Sequence, residues 1–297
     1  MTSTTTTSAW RSPVASTDGP RRAAVLGKPV AHSLSPVLHR AAFAALGLDG
    51  WTYDRFETDA DELPGFVDGL GPEWVGLSVT MPGKRRALEH ASEVTPRAAA
   101  VGAANTLVRQ GGGWLADCTD VDGVTGALQA AGGYTAGDQA VVLGAGGTAA
   151  AAVVGLAALG VTTVSLVVRE PARATETVDA AKRAGLAVEV LRWSEVGFAD
   201  LAGRAAVLVN TVPPDAVVPH VAELSRIGSV LDVIYHPWPT PLAEAVDRRG
   251  GGLATGLDML LHQAFGQAEQ FTGQPAPRAA MRDALRAATG NILPLPI

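Results

Sequence analysis

The chain has 297 residues, of which 47% are hydrophobic and 18% charged, and its formal net charge is −6. This length is enough for two domains with ample cores. The acidic balance and the lack of a Lys/Arg-rich run argue against nucleic acid or an anionic membrane as a partner, and no stretch is long and uncharged enough to span a membrane.

The N-terminal segment MTSTTTTSAWRSPVASTDGP, residues 1–20, is rich in serine and threonine and predicts a disordered tail. It lacks the basic start and apolar core of a secretory signal. The single cysteine, Cys118, cannot form an internal disulfide, which is typical of a reducing compartment. We therefore expect a cytoplasmic protein.

From Arg21 onward, short apolar runs alternate with amphipathic or alanine-rich helices, as in α/β proteins. The strand AAVLG leads into PVAHSLSP, where Ser33 and Ser35 precede a helical run. On one interpretation Ser35 is the helix N-cap, Pro36 the first helical residue and Gly47 the end of the helix. That leaves Ser33 without a role. On the other, the two hydroxyls and the free N–H groups bind an anion such as a carboxylate.

Three later segments place polar groups where an apolar strand ends: LSVTMPGKR, GAANTL and ADCTDVDG. The first follows the strands WTYDRFE and WVGLSVT and leads into the helix GKRRALEHAS. The second opens a predicted hairpin, NTLVRQGGGWLAD, with glycines at its turn. Taken singly, these polar groups are most simply a loop lysine, a turn asparagine and a cap aspartate.

A second unit begins near Gly123, where QAVVLGAGGTAAAAVVGLAALG reads as strand, glycine turn and helix. Its G-x-G-x-x-A run lets Gly144 form the tight turn and Gly146 bring backbone close to a pyrophosphate. The further strands TTVSLVVRE, AVEVLRW, AAVLVNTV and, last, GSVLDVIY predict a parallel, doubly wound sheet. Beside such a unit, the three polar segments together indicate a small polar substrate lying against a nicotinamide.

The end of the second strand in this unit bears on the choice of cofactor. Arg169 and Arg173 follow it and could clamp a 2′-phosphate, which predicts NADP. Glu170 complicates this prediction, because an acid here could neutralise Arg169 or bond a 2′-hydroxyl. The alternative interpretation is that Arg169 and Arg173 are two solvated side chains at the start of a helix and bind no phosphate. Near Gly256 the glycine-rich character stops, and the closing helices GLDMLLHQAFGQAEQF and RAAMRDALRAA are expected to return to the first unit.

These blocks together resemble the shikimate dehydrogenase family: GKPVAHSLSP, LSVTMPGK, GAANTL, CTDVDG, GAGGTA, YHPWPTPL and GLDMLLHQA occur in the family's order from about Val25 to Phe271. The resemblance implies reversible, NADP-dependent reduction of 3-dehydroshikimate to shikimate. It implies two α/β domains with a cleft between them. The substrate domain would be discontinuous, residues 21–122 plus 257–297, and the Rossmann-type NADP-binding domain would be residues 123–256.

The resemblance also implies roles for individual residues. Lys84 would be the catalytic lysine and Asp120 its paired acid. The substrate contacts would be Ser33, Ser35, Thr80, Asn105, Tyr235 and Gln263. The cofactor contacts would be Gly144, Ala145, Gly146, Gly147, Thr148, Arg169, Arg173, Gly256 and Met259. The six histidines lack metal-ligand spacing, so no metal is expected.

The chain departs from the family pattern at three places. Ser78 and Cys118 replace asparagines, and Val168-Arg169-Glu170 stands where the family has N-R-T. Two alternatives therefore stay open: an NAD-dependent quinate/shikimate dehydrogenase, and a non-catalytic NADPH-binding regulator on the same fold. Ser35 and Arg169 favour shikimate and NADP over the first, and the presence of Lys84 and Asp120 argues against the second. The expected assembly is a monomer or a homodimer.

Overall fold

The computed structural model describes residues 19–297, so the predicted tail lies outside the described residues except for its last two. The strands are β1 Arg22–Gly27, β2 Thr52–Glu57, β3 Trp74–Val79, β4 Glu93–Val94, β5 Thr106–Gln110, β6 Gly113–Asp117, β7 Gln139–Leu143, β8 Thr163–Val168, β9 Ala187–Arg192, β10 Val207–Asn210, β11 Ser229–Asp232 and β12 Gly252–Thr255. The helices are α1 Ser35–Ala45, α2 Leu63–Asp68, α3 Lys84–His90, α4 Pro96–Val101, α5 Asp120–Ala130, α6 Gly147–Ala158, α7 Thr175–Arg183, α8 Phe198–Arg204, α9 Pro214–Val217, α10 Val221–Leu224, α11 Pro241–Arg248, α12 Gly256–Thr272 and α13 Arg278–Ala288.

The first half of the chain forms a mixed six-stranded sheet in the order β2-β1-β3-β5-β6-β4. β1 runs parallel to β2 and β3, whereas β5 is antiparallel to both β3 and β6. β5 and β6 are the predicted hairpin, and the two residues at its turn, Gly111 and Gly112, have φ of +57° and +87°. Positive φ at both central residues is the requirement of a type I′ turn, which glycine meets without strain.

The second half forms an all-parallel sheet in the order β12-β11-β10-β7-β8-β9. Its central strands are continuous apolar runs, as expected of strands covered by helices on both faces. The predicted α/β architecture, with one doubly wound parallel sheet, is confirmed. The sequence does not predict the short strand β12, because GSVLDVIY is the last strand that its pattern indicates. Four residues, two of them only half-buried, give too weak an alternation to be recognised.

The start of α1 differs from the capping interpretation. Leu34 occupies the N-cap position, where its side chain makes no capping hydrogen bond, and Ser35 is already the first helical residue. The Ser35 backbone N–H instead donates to Ser33 Oγ at 3.3 Å, so it is Ser33 that bonds the helix start. The Ser35 side chain instead lies beside Tyr53, and it lowers the pKa of that phenol against the stronger effect of burial. Gly47, with φ of +69°, follows the last turn as expected.

Helices α5 and α12 connect the two sheets. α5 follows β6 directly and packs against α12 and α6, so the boundary expected at residues 122/123 falls inside a helix. α12 starts at the end of β12, packs against α5 and α1, and reaches β3 and β5 of the first sheet. Its N-terminus carries a capping box formed by Thr255 and Asp258. No helix within residues 19–297 is long and apolar enough to cross a membrane.

Candidate active site

The candidate site is a pocket of about 370 Å³ between the two sheets. From the first sheet it is lined by the loop after β1 and by the ends of β3 and its neighbours. From the second it is lined by the start of α6 and by the segment after β11. The predicted residues that line it are Ser33, Ser35, Thr80, Lys84, Asn105, Asp120, Thr148, Tyr235, Gly256, Met259 and Gln263.

The shortest polar contact in this pocket joins Lys84 and Asp120. Each is the first residue of its helix, α3 and α5, so both side chains emerge where a strand has just ended. Lys84 Nζ lies 2.5 Å from Asp120 Oδ2, and the two side chains are 21% and 10% exposed. Burial, the largest single influence, lowers the pKa of Lys84, but the negative charge of Asp120, its hydrogen bond and a contribution from Cys118 together outweigh burial and raise the pKa above its ordinary value. Lys84 is therefore a cation at neutral pH.

The other oxygen of Asp120 is held by Asn105. Asn105 Nδ2 donates to Asp120 Oδ1 at 2.9 Å and to Gln263 Oε1 at 3.2 Å. Its own Oδ1 accepts from the Thr119 backbone N–H at 2.8 Å. Both oxygens of Asp120 thus have fixed donors, which sets the carboxylate plane, and Asn105 is itself fixed by the chain segment next to Asp120.

A chain of buried hydrogen bonds runs from the serine end of the pocket towards Asn105. Tyr53 OH, which contacts Ser35, donates to Ser78 Oγ at 2.6 Å, and Ser78 Oγ donates to Gln267 Oε1 at 2.8 Å. Gln267 Nε2 then donates to the Asn105 backbone carbonyl at 3.1 Å. The two ends of the pocket are therefore rigidly connected through side chains that are themselves buried.

The neutral imidazole of His39 completes this chain. Its Nε2 donates to Gln267 Oε1 at 3.2 Å, and its ring stacks on Tyr53 with centroids 4.3 Å apart. Burial lowers the pKa of His39 to about 4. Cys118, next to the site, is also buried, which raises the pKa of its thiol to about 12. A thiol that stays protonated is a poor nucleophile, so Cys118 acts as a packing residue here.

Seven of the nine predicted cofactor residues form a second group at the carboxyl ends of β7 and β8, while Gly256 and Met259 lie in the first turn of α12. Gly144, with φ of +98°, makes the turn after β7, and a Cβ there would lie 2.5 Å from Thr211 Oγ1. At Gly146 and Gly147 a Cβ would meet nothing within 4 Å, and no side chain caps α6. An open, uncapped helix N-terminus after a glycine turn fits a nucleotide pyrophosphate. Ala145 lies within this turn.

Arg169 and Arg173 follow β8 and are both exposed. Glu170 does not turn towards Arg169: its Oε1 lies 3.5 Å from Arg192 Nη2, and Arg192 Nη1 donates to the Arg169 carbonyl at 3.4 Å. The acid that complicated the cofactor prediction is thus partnered by an arginine at the end of β9. Two arginines remain directed to solvent, which fits a 2′-phosphate.

Sequence reasoning did not find several residues that build the site. Tyr53 and Gln267 were missed, and Ser78 was noticed only as a departure from the family pattern. Gln267 follows Gln263 by one helical turn on α12, so helical spacing would have indicated it. Tyr53 carries no such signal, because strand β2 gives no indication of which loop faces it. Within residues 19–297 no group of three or more His, Cys, Asp or Glu side chains is arranged to hold a metal ion.

Comparison with known proteins agrees with this geometry. Residues 25–107 match the shikimate dehydrogenase substrate binding domain, and residues 256–286 match the shikimate 5′-dehydrogenase C-terminal domain. The shikimate dehydrogenase (NADP(+)) of Moorella thermoacetica is 37% identical over 275 residues, which cover 90% of this chain and 93% of the relative.

Two solved structures are similar over nearly the whole chain. The Mycobacterium tuberculosis shikimate dehydrogenase has a TM-score of 0.85 and 56% identity, covering 90% of this chain and 100% of that one. The Thermus thermophilus shikimate 5-dehydrogenase, in complex with NADP(H) and shikimate, has a TM-score of 0.75 and 32% identity, covering 90% and 99%.

Proposed function

The chain belongs to the shikimate dehydrogenase family, and we propose that its reaction, the NADP-dependent interconversion of shikimate and 3-dehydroshikimate, is carried out by Lys84 and Asp120. The single observation that carries this proposal is the contact of 2.5 Å between Lys84 Nζ and Asp120 Oδ2 inside the pocket. The reaction is a step of chorismate and aromatic amino-acid synthesis.

The chemistry requires a proton donor beside the ring oxygen. NADPH supplies the hydride to the ring carbon. Negative charge then develops on the ketone oxygen, which must take up a proton as the hydroxyl forms. Lys84 donates a hydrogen bond to that oxygen, and Asp120 keeps Lys84 charged and oriented while accepting from the same hydroxyl. In the oxidising direction the hydroxyl proton returns to this pair, which titrates as a unit.

The opposite end of the pocket is proposed to bind the substrate carboxylate. Ser33 and Ser35 present hydroxyls there, and Tyr235 faces them from the second sheet. Thr80 and Gln263 are proposed to bond the ring hydroxyls, with Asn105. A carboxylate held away from the reacting carbon orients the ring before hydride transfer, which lowers the entropic part of the barrier.

The remaining assignments follow from the second sheet. We propose that Gly144 to Thr148 hold the pyrophosphate, that Arg169 and Arg173 bind the 2′-phosphate, and that Gly256 and Met259 lie beside the nicotinamide. Residues 21–122 with 257–297 would form the substrate domain and residues 123–256 the NADP-binding domain. A monomer or homodimer in the cytoplasm is proposed, and size-exclusion chromatography with light scattering distinguishes the two assemblies.

A steady-state assay with two variants tests the proposal. The wild type is expected to oxidise shikimate with NADP⁺ at a much higher kcat/KM than quinate or NAD⁺ gives. Lys84→Ala should lower kcat by roughly 10²- to 10⁴-fold while the Kd for shikimate, measured by calorimetry, changes little. Lys182→Ala, on the exposed face of α7, is the matched control and should keep the wild-type rate.

Each outcome has a defined meaning. Near-full turnover by Lys84→Ala would remove Lys84 from the mechanism. Equal or better turnover with quinate and NAD⁺ would move the chain to the quinate-type branch. Binding of NADPH without turnover of either shikimate or quinate, with either NADP⁺ or NAD⁺, would favour the non-catalytic NADPH-binding regulator.

A further inference from the structure

The chain segment that carries Asp120 is fixed, on the side away from the pocket, by an arginine that does not line the pocket. Arg97 lies in the first turn of α4 and is 31% exposed. Its Nε donates to Asp117 Oδ1 at 2.6 Å, its Nη2 also contacts Asp117, and its Nη1 donates to Asp122 Oδ2 at 2.6 Å. One guanidinium therefore bridges the two residues that flank Asp120 on either side.

Asp117 is the centre of this arrangement. Besides Arg97 it accepts from Thr95 Oγ1 at 2.7 Å, from Gln270 Nε2 at 2.6 Å and from the Cys118 backbone N–H at 2.8 Å. Those donors come from α4's N-cap, from α12 and from the segment itself. The last residue of β6 is thus fixed to two helices, and the chain leaves it in one direction towards Asp120.

On the pocket side the same segment is fixed by Asn105, which accepts from the Thr119 N–H and donates to Asp120. Arg97 fixes the segment on the side away from the pocket. No other cation bonds Asp117 or Asp122 among residues 19–297. We propose that Arg97 is a positioning residue: by bridging Asp117 and Asp122 it sets the position of the Asp120 carboxylate against Lys84. The proposal rests on the role given above to Asp120.

Charge gives Arg97 a second effect on the site. The charged or titratable groups around Asp120 are Lys84 on α3, Arg97 on α4, Cys118 and Asp117 before it, Asp122 on its own helix and Glu269 on α12. Without Arg97 the carboxylates of Asp117 and Asp122 would lose their countercharge close to Asp120. Loss of the guanidinium would leave uncompensated negative charge close to the Lys84–Asp120 pair, and like charges disfavour the ionised form of a carboxyl.

The experiment compares Arg97→Gln, Arg97→Lys and Arg109→Gln in the full-length protein. In Arg97→Gln we expect kcat to fall roughly 10- to 100-fold, as for a group displaced by about 1 Å. The acidic limb of the kcat–pH profile should move up by about one pH unit, while KM for NADP⁺ stays within about twofold of the wild type. Arg97→Lys keeps the charge but not the two-carboxylate bridge, so it should restore the acidic limb and only part of kcat.

Arg109→Gln controls for a merely structural loss. Arg109, on β5 of the same sheet, donates to the Leu70 carbonyl and lies over the Trp114 ring, away from Asp120. Its loss should lower the thermal midpoint and leave kcat and the pH profile unchanged. If Arg97→Gln does not fold, the kcat of Arg97→Lys tests the proposal instead, and we expect it to be several-fold below the wild-type value.

Wild-type kcat in Arg97→Gln, or in Arg97→Lys if only that variant folds, would overturn the proposal. The proposal would also be overturned if Arg97→Gln lowered kcat without shifting the acidic limb of the pH profile and Arg109→Gln lowered kcat by the same factor. Failure of the underlying role is seen separately, because Asp120→Asn would then keep near-full turnover.

Discussion

At the scale of single residues, Ser78 shows how a departure from the family pattern is accommodated. Where the family has an asparagine, the Ser78 hydroxyl accepts from Tyr53 OH at 2.6 Å and donates to Gln267 Oε1 at 2.8 Å. Tyr53 OH, Ser78 Oγ and both polar atoms of the Gln267 amide have partners, which avoids the cost of leaving these buried groups unpaired. The substitution is therefore compatible with an intact site.

Arg169 is expected to distinguish the two nicotinamide cofactors. Arg169→Ala would remove the charge-assisted hydrogen bond proposed above to the 2′-phosphate, so we expect the Kd for NADP⁺ to rise roughly 10- to 100-fold. NAD⁺ has no such phosphate, and its Kd should change little. Titration of tryptophan fluorescence with each nucleotide measures both values. Equal losses for the two cofactors would remove the 2′-phosphate assignment.

Glu170 and Arg192 provide the control for this experiment. Their ion pair is about half-exposed, and Arg192→Ala would release Glu170 near the phosphate site. We expect this to raise the Kd for NADP⁺ by no more than about fivefold. Adding Glu170→Gln to that variant should restore the wild-type Kd. If the double variant stays as weak as Arg192→Ala, Glu170 does not act on the cofactor.

At the scale of elements, the junction between β12 and α12 explains the position of Gly256. A Cβ at this residue would lie 2.1 Å from the Val233 carbonyl and 2.7 Å from Tyr235 Cδ1. Gly256→Ala should therefore displace the segment that carries Tyr235, raise KM for shikimate about tenfold and lower the free energy of unfolding by about 1–3 kcal/mol. Initial rates and urea denaturation measure the two effects.

Gly203, within α8, is the matched control. A Cβ there would meet nothing within 4 Å, and alanine is the better helix former, so Gly203→Ala should stabilise the protein by up to about 1 kcal/mol. KM should not change. Wild-type KM in Gly256→Ala would show that the close approach to Val233 is not needed for binding.

The sequence predicted those elements whose signals are local. The glycine run after β7, the glycine hairpin after β5 and the apolar stripe of α12 each specify their structure within a few residues. Three features depend on distant partners and were not predictable. Ser35 lies inside its helix and beside Tyr53 of β2. Strand β12 exists because β11 pairs with it, and Arg97 bonds carboxylates that lie beyond a hairpin in the sequence.

At the scale of the whole molecule, His39 makes stability depend on pH. Its pKa is lowered by burial from 6.5 to about 4, so between those values the unfolded chain binds a proton that the folded chain does not. The free energy of unfolding must then fall as the pH falls through this window. From pH 7.5 to 5.0, His39 should account for a loss of about 2 kcal/mol.

Urea denaturation at the two pH values tests this with His39→Gln, which cannot titrate. The loss of stability on acidification should be smaller in this variant by that amount. His236→Gln, an exposed position, is the control and should keep the wild-type loss. His262 is buried as well, which lowers its pKa, so some dependence remains in both variants. An unchanged difference in His39→Gln would place the proton uptake elsewhere.

Helix α12 has a consequence for the way the protein is made. The hydrogen bond from Ser78 to Gln267 spans 189 positions in the chain, and that from His39 to the same glutamine spans 228. A ribosome releases β1 to β6 first and α12 almost last. Until then Ser78, His39 and Asn105 lack the partners that α12 supplies, which is costly for buried polar groups. The half of the protein that is synthesised first is therefore the last to be completed, and a nascent chain that stops before α12 has no finished site.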